Sequence, residues 1–355
     1  AVLAYNAGEF ERAETLIRSA LEMDSNNPNI HINLANILIA RGRHSAALLS
    51  LSSATALEPN ISMAHYLKAL VLQEMKNPRA ALENANVALT LDTKSVKTLL
   101  LRGNLLLAQG ETTAAIDDYQ SAIALDPTNP LAHFDLGCAL SADNRPVESL
   151  IEYDAALAIF PSFVQAHCNK ANALRDLMRI SEAQASYEHA VALDPTNHQL
   201  QWNLSLVQLQ QGNFEQGWQN YETRLIDPAS SHARTLAPKW NGAESLEKKT
   251  ILVIGEQGLG DMIQFSRYIS LLHQLGAHAI LQVPDSLAKL FKNLDGVIST
   301  VPMEATAPDT DFYCMLMSLP AIFKTKIDTI PHGQTAYLAP STDALSKWQK
   351  LFLIT

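Results

Sequence analysis

The stretch Gly255-Glu256-Gln257-Gly258-Leu259-Gly260-Asp261 concentrates three glycines and two carboxylates in seven consecutive residues. Glycines let a ligand approach the main chain closely, and an aspartate beside them is placed to take a proton from a bound hydroxyl group. A carboxylate is a weak base in water, so Asp261 needs burial or positioning for that role. Asp is also a frequent helix cap, and the two roles are compatible. The spacing is not GxGxxG, so no nicotinamide dinucleotide is expected here. Gln257, Gly258, Leu259, Gly260, Gln264 and Arg267 are the candidate substrate-binding residues. Arg267 suits an acceptor phosphate or, equally, an ion pair with Glu256.

A second set of polar residues is spread along the first two thirds of the chain. Asn33, Asn36, Asn104, Asn169, Asn172 and Asn203 recur at related positions, and the pairs spaced i, i+3 share one helical face. A primary amide offers donor and acceptor together, which matches the main chain of an extended peptide of any sequence. These six are the candidate partner-binding residues. The row is broken at Leu67 and Leu101, and asparagine is also an ordinary surface residue. His31, His65, His133 and His167 form another column. Packed helices set such residues about 10 Å apart, whereas a shared metal needs ligands at about 2 Å. These histidines are therefore expected to pack, and no metal site is expected.

The elements that carry the amides repeat. At a shift of 34, Ala20, Ala54, Ala88, Ala122, Ala156 and Ala190 form one column of small residues. Ala13, Ala47, Ala81, Ala115, Ser149, Ala183 and Gly217 form another, and Tyr119, Tyr153, Tyr187 and Tyr221 a third. Paired helices approach closely only where side chains are small, and tyrosines fill the space between units. Gly8, Gly42, Gly110 and Gly212 fall at the turn inside each unit, where a left-handed residue ends a helix. Lys76, Asn144 and Met178 replace them elsewhere, which predicts strained or differently shaped turns. Segments such as Asp126-Pro127-Thr128-Asn129-Pro130 close one unit and open the next. The period predicts an α solenoid over residues 1–224.

The seventh unit departs from this pattern, with Gly217-Trp218 at the small-residue site and Arg224 in the alanine column. Residues 225–249 read as a connector that includes Pro228, Ala229-Ser230-Ser231 and Pro238, with Trp240 expected to be buried at the junction. Strands are then predicted at 250–254, 279–283, 296–301 and 311–315. Helices are predicted from Met262 to about Leu275 and from Ser286 to Leu294. Alternating strands and helices imply a parallel, Rossmann-like sheet over residues 250–340. The glycine loop then lies at the carboxyl end of the first strand, where a following helix offers free N–H groups. Residues 341–355 begin a further helix.

Several columns agreeing over six or seven units resemble the tetratricopeptide repeat. That resemblance implies a curved stack whose concave face, formed by the first helix of each unit, binds protein or peptide. The asparagine row is similar to the groove of the O-linked N-acetylglucosamine transferase repeats, where asparagines hold peptide main chain. The loop together with Gln264-Phe265-Ser266-Arg267-Tyr268 resembles glycosyltransferase-like proteins related to the heptosyltransferases, which have a two-domain B-type fold. The likeness extends to Ser318-Leu319-Pro320 and Tyr337-Leu338. It implies that residues 250–340 are the acceptor-side half of that fold and that Asp261 is the general base. It also implies a nucleotide-sugar donor bound chiefly by a second domain, so no cofactor is expected in this chain. Because both ends interrupt a pattern, the sequence reads as a fragment that does not itself catalyse transfer. The alternative is a non-catalytic scaffold.

Composition narrows the partners. With 47% hydrophobic and 17% charged residues the chain can bury enough apolar surface to fold. Its formal charge of −10, without a basic block, argues against nucleic acid. A protein or peptide on the repeats, or a protein or glycan acceptor, is what the two resemblances imply. Cys138, Cys168 and Cys314 are single and far apart, which fits a reducing, cytoplasmic setting. No apolar stretch approaches the roughly 20 residues of a membrane-spanning helix.

Overall fold

The computed structural model describes residues 1–226, 235–340 and 342–352. Pro228, Ala229, Ser230 and Ser231 of the predicted connector lie outside the described residues, as do Leu353, Ile354 and Thr355. The chain divides into two compact units, Ala1–Arg179 and Ile180–Thr355.

The first unit is entirely helical among its described residues. Its helices are α1 (Val2–Asn6), α2 (Phe10–Met23), α3 (Pro28–Ala40), α4 (His44–Leu57), α5 (Ser62–Glu74), α6 (Pro78–Leu91), α7 (Val96–Ala108), α8 (Thr112–Leu125), α9 (Pro130–Ala142), α10 (Pro146–Ile159) and α11 (Val164–Asp176). Asn27 and Asn129 cap α3 and α9 through Oδ1, each followed by a proline in the first turn. Ala13, Ala47, Ala81, Ala115 and Ser149 are fully buried, as are Ala54, Ala88, Ala122 and Ala156. The small-residue columns thus mark where helices touch.

The tyrosine column fills the remaining space. Tyr119 and Tyr153 are buried, and their rings press on Gly103 and Gly137 of the preceding helix. A Cβ built on either glycine would stand 2.6 Å from the ring, so these two glycines are required by contact, not by backbone conformation. The turns use the other property of glycine: Gly8, Gly42 and Gly110 have φ of 77°, 69° and 84°. Lys76, Asn144 and Met178 adopt the same left-handed turn at φ 59°, at a cost of about 1 kcal/mol each.

The second unit begins with α12 (Ile180–Leu193), α13 (His198–Gln210) and α14 (Phe214–Tyr221) and continues into a sheet of β1 (Thr250–Ile254), β2 (His278–Gln282), β3 (Val297–Val301) and β4 (Phe312–Met315). All pairings are parallel, in the order β3-β2-β1-β4, with Leu252 opposite Ile280 and Tyr313. Between the strands lie α15 (Leu259–Phe265), α16 (Ile269–Gln274) and α17 (Asp285–Phe291); α18 (Leu319–Ile322) and α19 (Thr342–Phe352) follow β4. The long helix expected from Met262 to about Leu275 is instead two short helices joined by a 3-10 turn at Ser266–Tyr268. There the hydroxyls of Ser266 and Ser270 bond the carbonyls of Ile263 and Arg267, three residues back.

Strand alternation divides the core. Ile251 and Val253 pack with Met262, Phe265 and Leu272, while Leu252 and Ile254 pack with Ile280 and Met315 on the other face. Trp240 is buried in the larger cluster, and its Nε1 donates to the carbonyl of Glu244. Asp311 anchors the start of β1 by accepting from the Thr250 N–H, Lys249 and the Thr250 hydroxyl, which hold its carboxyl down to about 2. Among the described residues no helix is long and apolar enough to cross a membrane.

The glycine contacts give a direct test. Gly137→Ala is expected to lower stability by about 1–3 kcal/mol, because the Tyr153 ring must move in a packed core. The same change at exposed Gly110 acts only through its turn. Urea unfolding of both variants measures the difference, and a Gly137→Ala protein as stable as the parent would refute the contact.

Candidate functional site

Two members of the amide row, Asn104 and Asn169, are held by side chains of the neighbouring helices. The Tyr119 hydroxyl donates to Asn104 Oδ1 at 2.6 Å, which fixes that amide with its NH2 group turned away from the tyrosine. One repeat later, Tyr153 donates to Cys138 Sγ at 3.8 Å, and Asn169 Nδ2 donates to the same sulfur at 3.3 Å. Asn33 and Asn104 are exposed, and Asn36, Asn169 and Asn172 are half-buried. Leu67 and Leu101, which interrupt the row, are buried core residues. Asn203 lies on α13 of the second unit and accepts from Gln199 at 3.0 Å.

Asp135 of α9 was not singled out by the sequence, yet it occupies the column of Asn33 and Asn169. Burial pushes its carboxyl up to about 6, against the lowering effect of a hydrogen bond from Asn104. The columnar signal was present at position 135, where a carboxylate replaces an amide. The histidine column has a main-chain role. Nε2 of His31, His65, His133 and His167 lies 3.0, 3.0, 3.2 and 2.8 Å from the carbonyl six residues earlier. Each ring therefore ties its helix to the preceding inter-repeat turn.

In the second unit the glycine loop follows β1, beside which the strand order reverses between β2 and β4. Such a reversal opens a crevice at the carboxyl ends of the strands. None of the loop's glycines has a positive φ; the left-handed residue is Gln257, at φ 64°. Gly255 is needed because a Cβ there would meet Met262 Sδ at 2.9 Å and the Gln282 carbonyl at 3.1 Å, whereas Gly260 faces open space. Asp261 Oδ2 accepts the Gly258 N–H at 3.1 Å, so the carboxylate caps its own short helix. The helix that follows is seven residues long, and one of the N–H groups at its start is thus already bonded.

Glu256 pairs with Arg224, not with Arg267. Arg224 Nε and Nη2 reach the Glu256 oxygens at 2.9 and 2.7 Å, and Nη2 also donates to Ser318 Oγ at 3.2 Å. Nη1 donates to Glu222 at 2.7 Å, and the guanidinium lies over the Tyr221 ring, 4.5 Å from its centre. Glu256 also accepts the Met317 N–H at 3.0 Å. Both side chains of the pair are 7% exposed. Burial opposes the charge on Arg224, but its carboxylate partners outweigh burial and hold its pKa above the ordinary arginine value. Gln257 completes the contact by donating to the Tyr221 hydroxyl at 3.1 Å. The end of the last repeat is thereby fastened to the ends of β1 and β4.

Arg267 instead stacks on Tyr337, 4.8 Å from the ring centre, and its Nε donates to the Gln264 carbonyl. Gln264 and Arg267 share a cavity of about 270 Å³ with Trp218, Phe265, Tyr268 and Thr325. Gln257, Gly258, Leu259, Gly260 and Asp261 are not among its walls. The proposed substrate residues thus fall into two groups: the loop, and a pocket beside Trp218.

Comparison with known proteins places the repeats. A model described as "TPR repeat" matches residues 103–143, and two described as "Tetratricopeptide repeat" match residues 4–71 and 168–222. Among solved structures, a chain of the APC/C hetero-tetramer Cut9-Hcn1 aligns with a TM-score of 0.54 and 16% identity, over 65% of this chain and 45% of that one. PilF of Pseudomonas aeruginosa aligns with a TM-score of 0.52 and 18% identity, over 57% of this chain and 92% of that one. A tetratricopeptide repeat protein from Parabacteroides merdae gives 0.51 and 17%, over 62% and 87%. At these identities the likeness concerns the fold alone. No curated protein matches the chain.

The buried ion pair is the testable part of this geometry. Arg224→Met leaves Glu256 charged and unpaired, with an expected loss of about 3–5 kcal/mol in urea unfolding. Glu256→Gln keeps an acceptor for Met317, and the double variant should lose less than the two single losses added. Additive losses would show that the two residues act independently.

Proposed function

The chain carries tetratricopeptide repeats, modules of protein–protein interaction, and from that premise we propose that it holds an extended protein segment along the amide row of its first helices. The observation that carries this reading is the fixed orientation of Asn104 and Asn169, whose amides are set by Tyr119 and Cys138 before any partner arrives. Preorganised amides lose little rotamer freedom on binding, and each can accept from and donate to one peptide unit. The segment's side chains are then read only by what stands between the amides.

The finer reading concerns the second unit. We propose that residues 250–340 form the acceptor-side, Rossmann-like half of a glycosyltransferase-like fold, and that the repeats bring a protein or glycan acceptor to it. The strand reversal beside β1 and the glycine loop there support this reading. In such a transfer Asp261 accepts the acceptor hydroxyl's proton while that oxygen forms the new glycosidic bond. The bond from the sugar carbon to the diphosphate breaks, and the diphosphate leaves with its electron pair. The nucleotide sugar would be held chiefly by a second domain of the same kind. The second reading is a scaffold without catalysis, in which Arg224, bonded at both strand ends of the reversal, serves only to join the repeats to the sheet.

Replacing Asn36, Asn104 and Asn172 together by Ala is expected to weaken capture of extended peptides on an array by about tenfold or more, with folding checked by circular dichroism. Undiminished capture by the folded variant would end the amide-row reading. For the catalytic reading, Asp261→Asn in the protein joined to a nucleotide-sugar-binding domain should reduce sugar transfer by about 10²-fold or more. Transfer at the parental rate would remove Asp261 as the base.

A further inference from the structure

We infer that Asp135 provides a seat for a cationic side chain in the middle of the amide row, so that the segment held there is selected for lysine or arginine. The inference rests on the peptide-holding reading above and adds the charge of the partner. Asp135 takes, on α9, the place that Asn33 takes on α3 and Asn169 on α11. An amide at that place serves any main chain, since it both donates and accepts; an ionised carboxylate only accepts.

The groups around Asp135 supply little to balance its charge. On α7, Asn104 donates one neutral hydrogen bond, while Arg102 turns to Asp118, reaching it through Nε at 2.7 Å and through Nη2. On α8, Asp118 is held by that arginine, and the Tyr119 hydroxyl donates to Asn104, not to Asp135. On α9 itself, Cys138 receives Tyr153 of α10 and Asn169 of α11, and His133 pairs with Glu152 at 2.7 Å. On α11, Lys170 pairs with Asp154 at 2.6 Å. No cation appears among the groups that shift Asp135, which are burial and Asn104.

A half-buried carboxylate with one neutral donor is under-satisfied, because it can accept roughly four hydrogen bonds. An arginine or lysine of a bound segment meets this need, with charge as well, and a segment carrying glutamate there is repelled. The buried setting makes the preference stronger than on an open surface, where solvent screens it.

Because burial raises the carboxyl to about 6, Asp135 is charged at neutral pH and loses that charge as the pH falls through about 6. Preference for basic segments should decline over the same interval. Cys138, Tyr119 and Tyr153 have pKa values raised by burial and stay neutral throughout. His133 is paired with Glu152 at 2.7 Å.

The test uses an array of capped decapeptides of mixed sequence carrying Lys, Arg, Ala or Glu at one fixed position, probed with the full chain. The parent is expected to retain the Lys and Arg sets about tenfold better than the Ala set at about pH 7.5, with the Glu set weakest. Asp135→Asn, which restores the amide of the neighbouring repeats, should bring all four sets to similar retention. The parent's preference should fade toward about pH 5, and the Asn variant should show no such fading. Asn169→Asp, which adds a carboxylate in the same column, should strengthen the preference. The inference is overturned by a parent without charge preference, by an Asp135→Asn protein that keeps it, or by an Asn169→Asp protein that does not change it. Loss of all four sets alike in folded Asp135→Asn would also overturn it. Capture without charge selection sinks this inference alone, whereas no capture of any peptide by the parent sinks the peptide-holding reading beneath it as well.

Discussion

In two successive repeats of the first unit, a tyrosine ring pressed against glycine in the helix before it sets both the packing and the polar surface. Tyr119 lies on Gly103 and Tyr153 on Gly137, close enough to exclude even a methyl group. The same rings then reach one residue further with their hydroxyls, to Asn104 and Cys138. Packing and polar presentation are therefore a single arrangement. The glycine lets the ring approach, and the approach puts a phenol beside the residue that lines the row. A substitution that loosens the core also misorients the amide.

In the second unit a different constraint governs. Arg224 stands where six earlier repeats have alanine, and a guanidinium in a buried place needs a counter-ion. Glu256 supplies it from the end of β1, with Ser318 and the Met317 N–H completing the group from the end of β4. A terminal repeat exposes a face that would otherwise pack on the next repeat. Here part of that face is closed by charge pairing and by Trp218, whose ring meets Tyr221 and Phe265 edge-on. The pair is directional, so it fixes orientation in a way that apolar burial does not.

What could be read from the sequence was whatever recurs or alternates. Close helix packing demands small residues at a fixed interval, so the columns were visible without a structure, as were the strands in runs such as Ile251-Leu252-Val253-Ile254. The Arg224–Glu256 pair was not visible, because its members are separated by a connector with no period and each occurs once. A signal did exist in the charge at an otherwise alanine position, and it pointed to a changed partner without naming it. The backbone of the loop was not legible. Its glycines at 255, 258 and 260 were visible as places where a ligand could approach the main chain, but the left-handed residue is Gln257, which donates to the Tyr221 hydroxyl. The long helix failed as an expectation because apolar spacing continues through Ser266 and Ser270, while their hydroxyls draw the backbone into a 3-10 turn.

The two polar sites are thus built by opposite means, and this bears on how each tolerates change. The amide row is assembled from a repeated contact, so each position can vary alone: leucine at 67 and 101, aspartate at 135 and cysteine at 138 all occupy it without disturbing the helices. Such a surface can acquire selectivity one residue at a time, because the neighbours that hold each side chain belong to its own or the adjoining repeats. The glycine loop depends on a single network in which Tyr221 and the Arg224–Glu256 pair are buried and Gln257 is attached from the exposed side. Removing one member leaves another charged or polar group unpaired in a dry place, so changes there must come together. Gln257 makes the dependence plain, since its strained backbone, at a cost of about 1–3 kcal/mol, persists only while the surrounding contacts hold it.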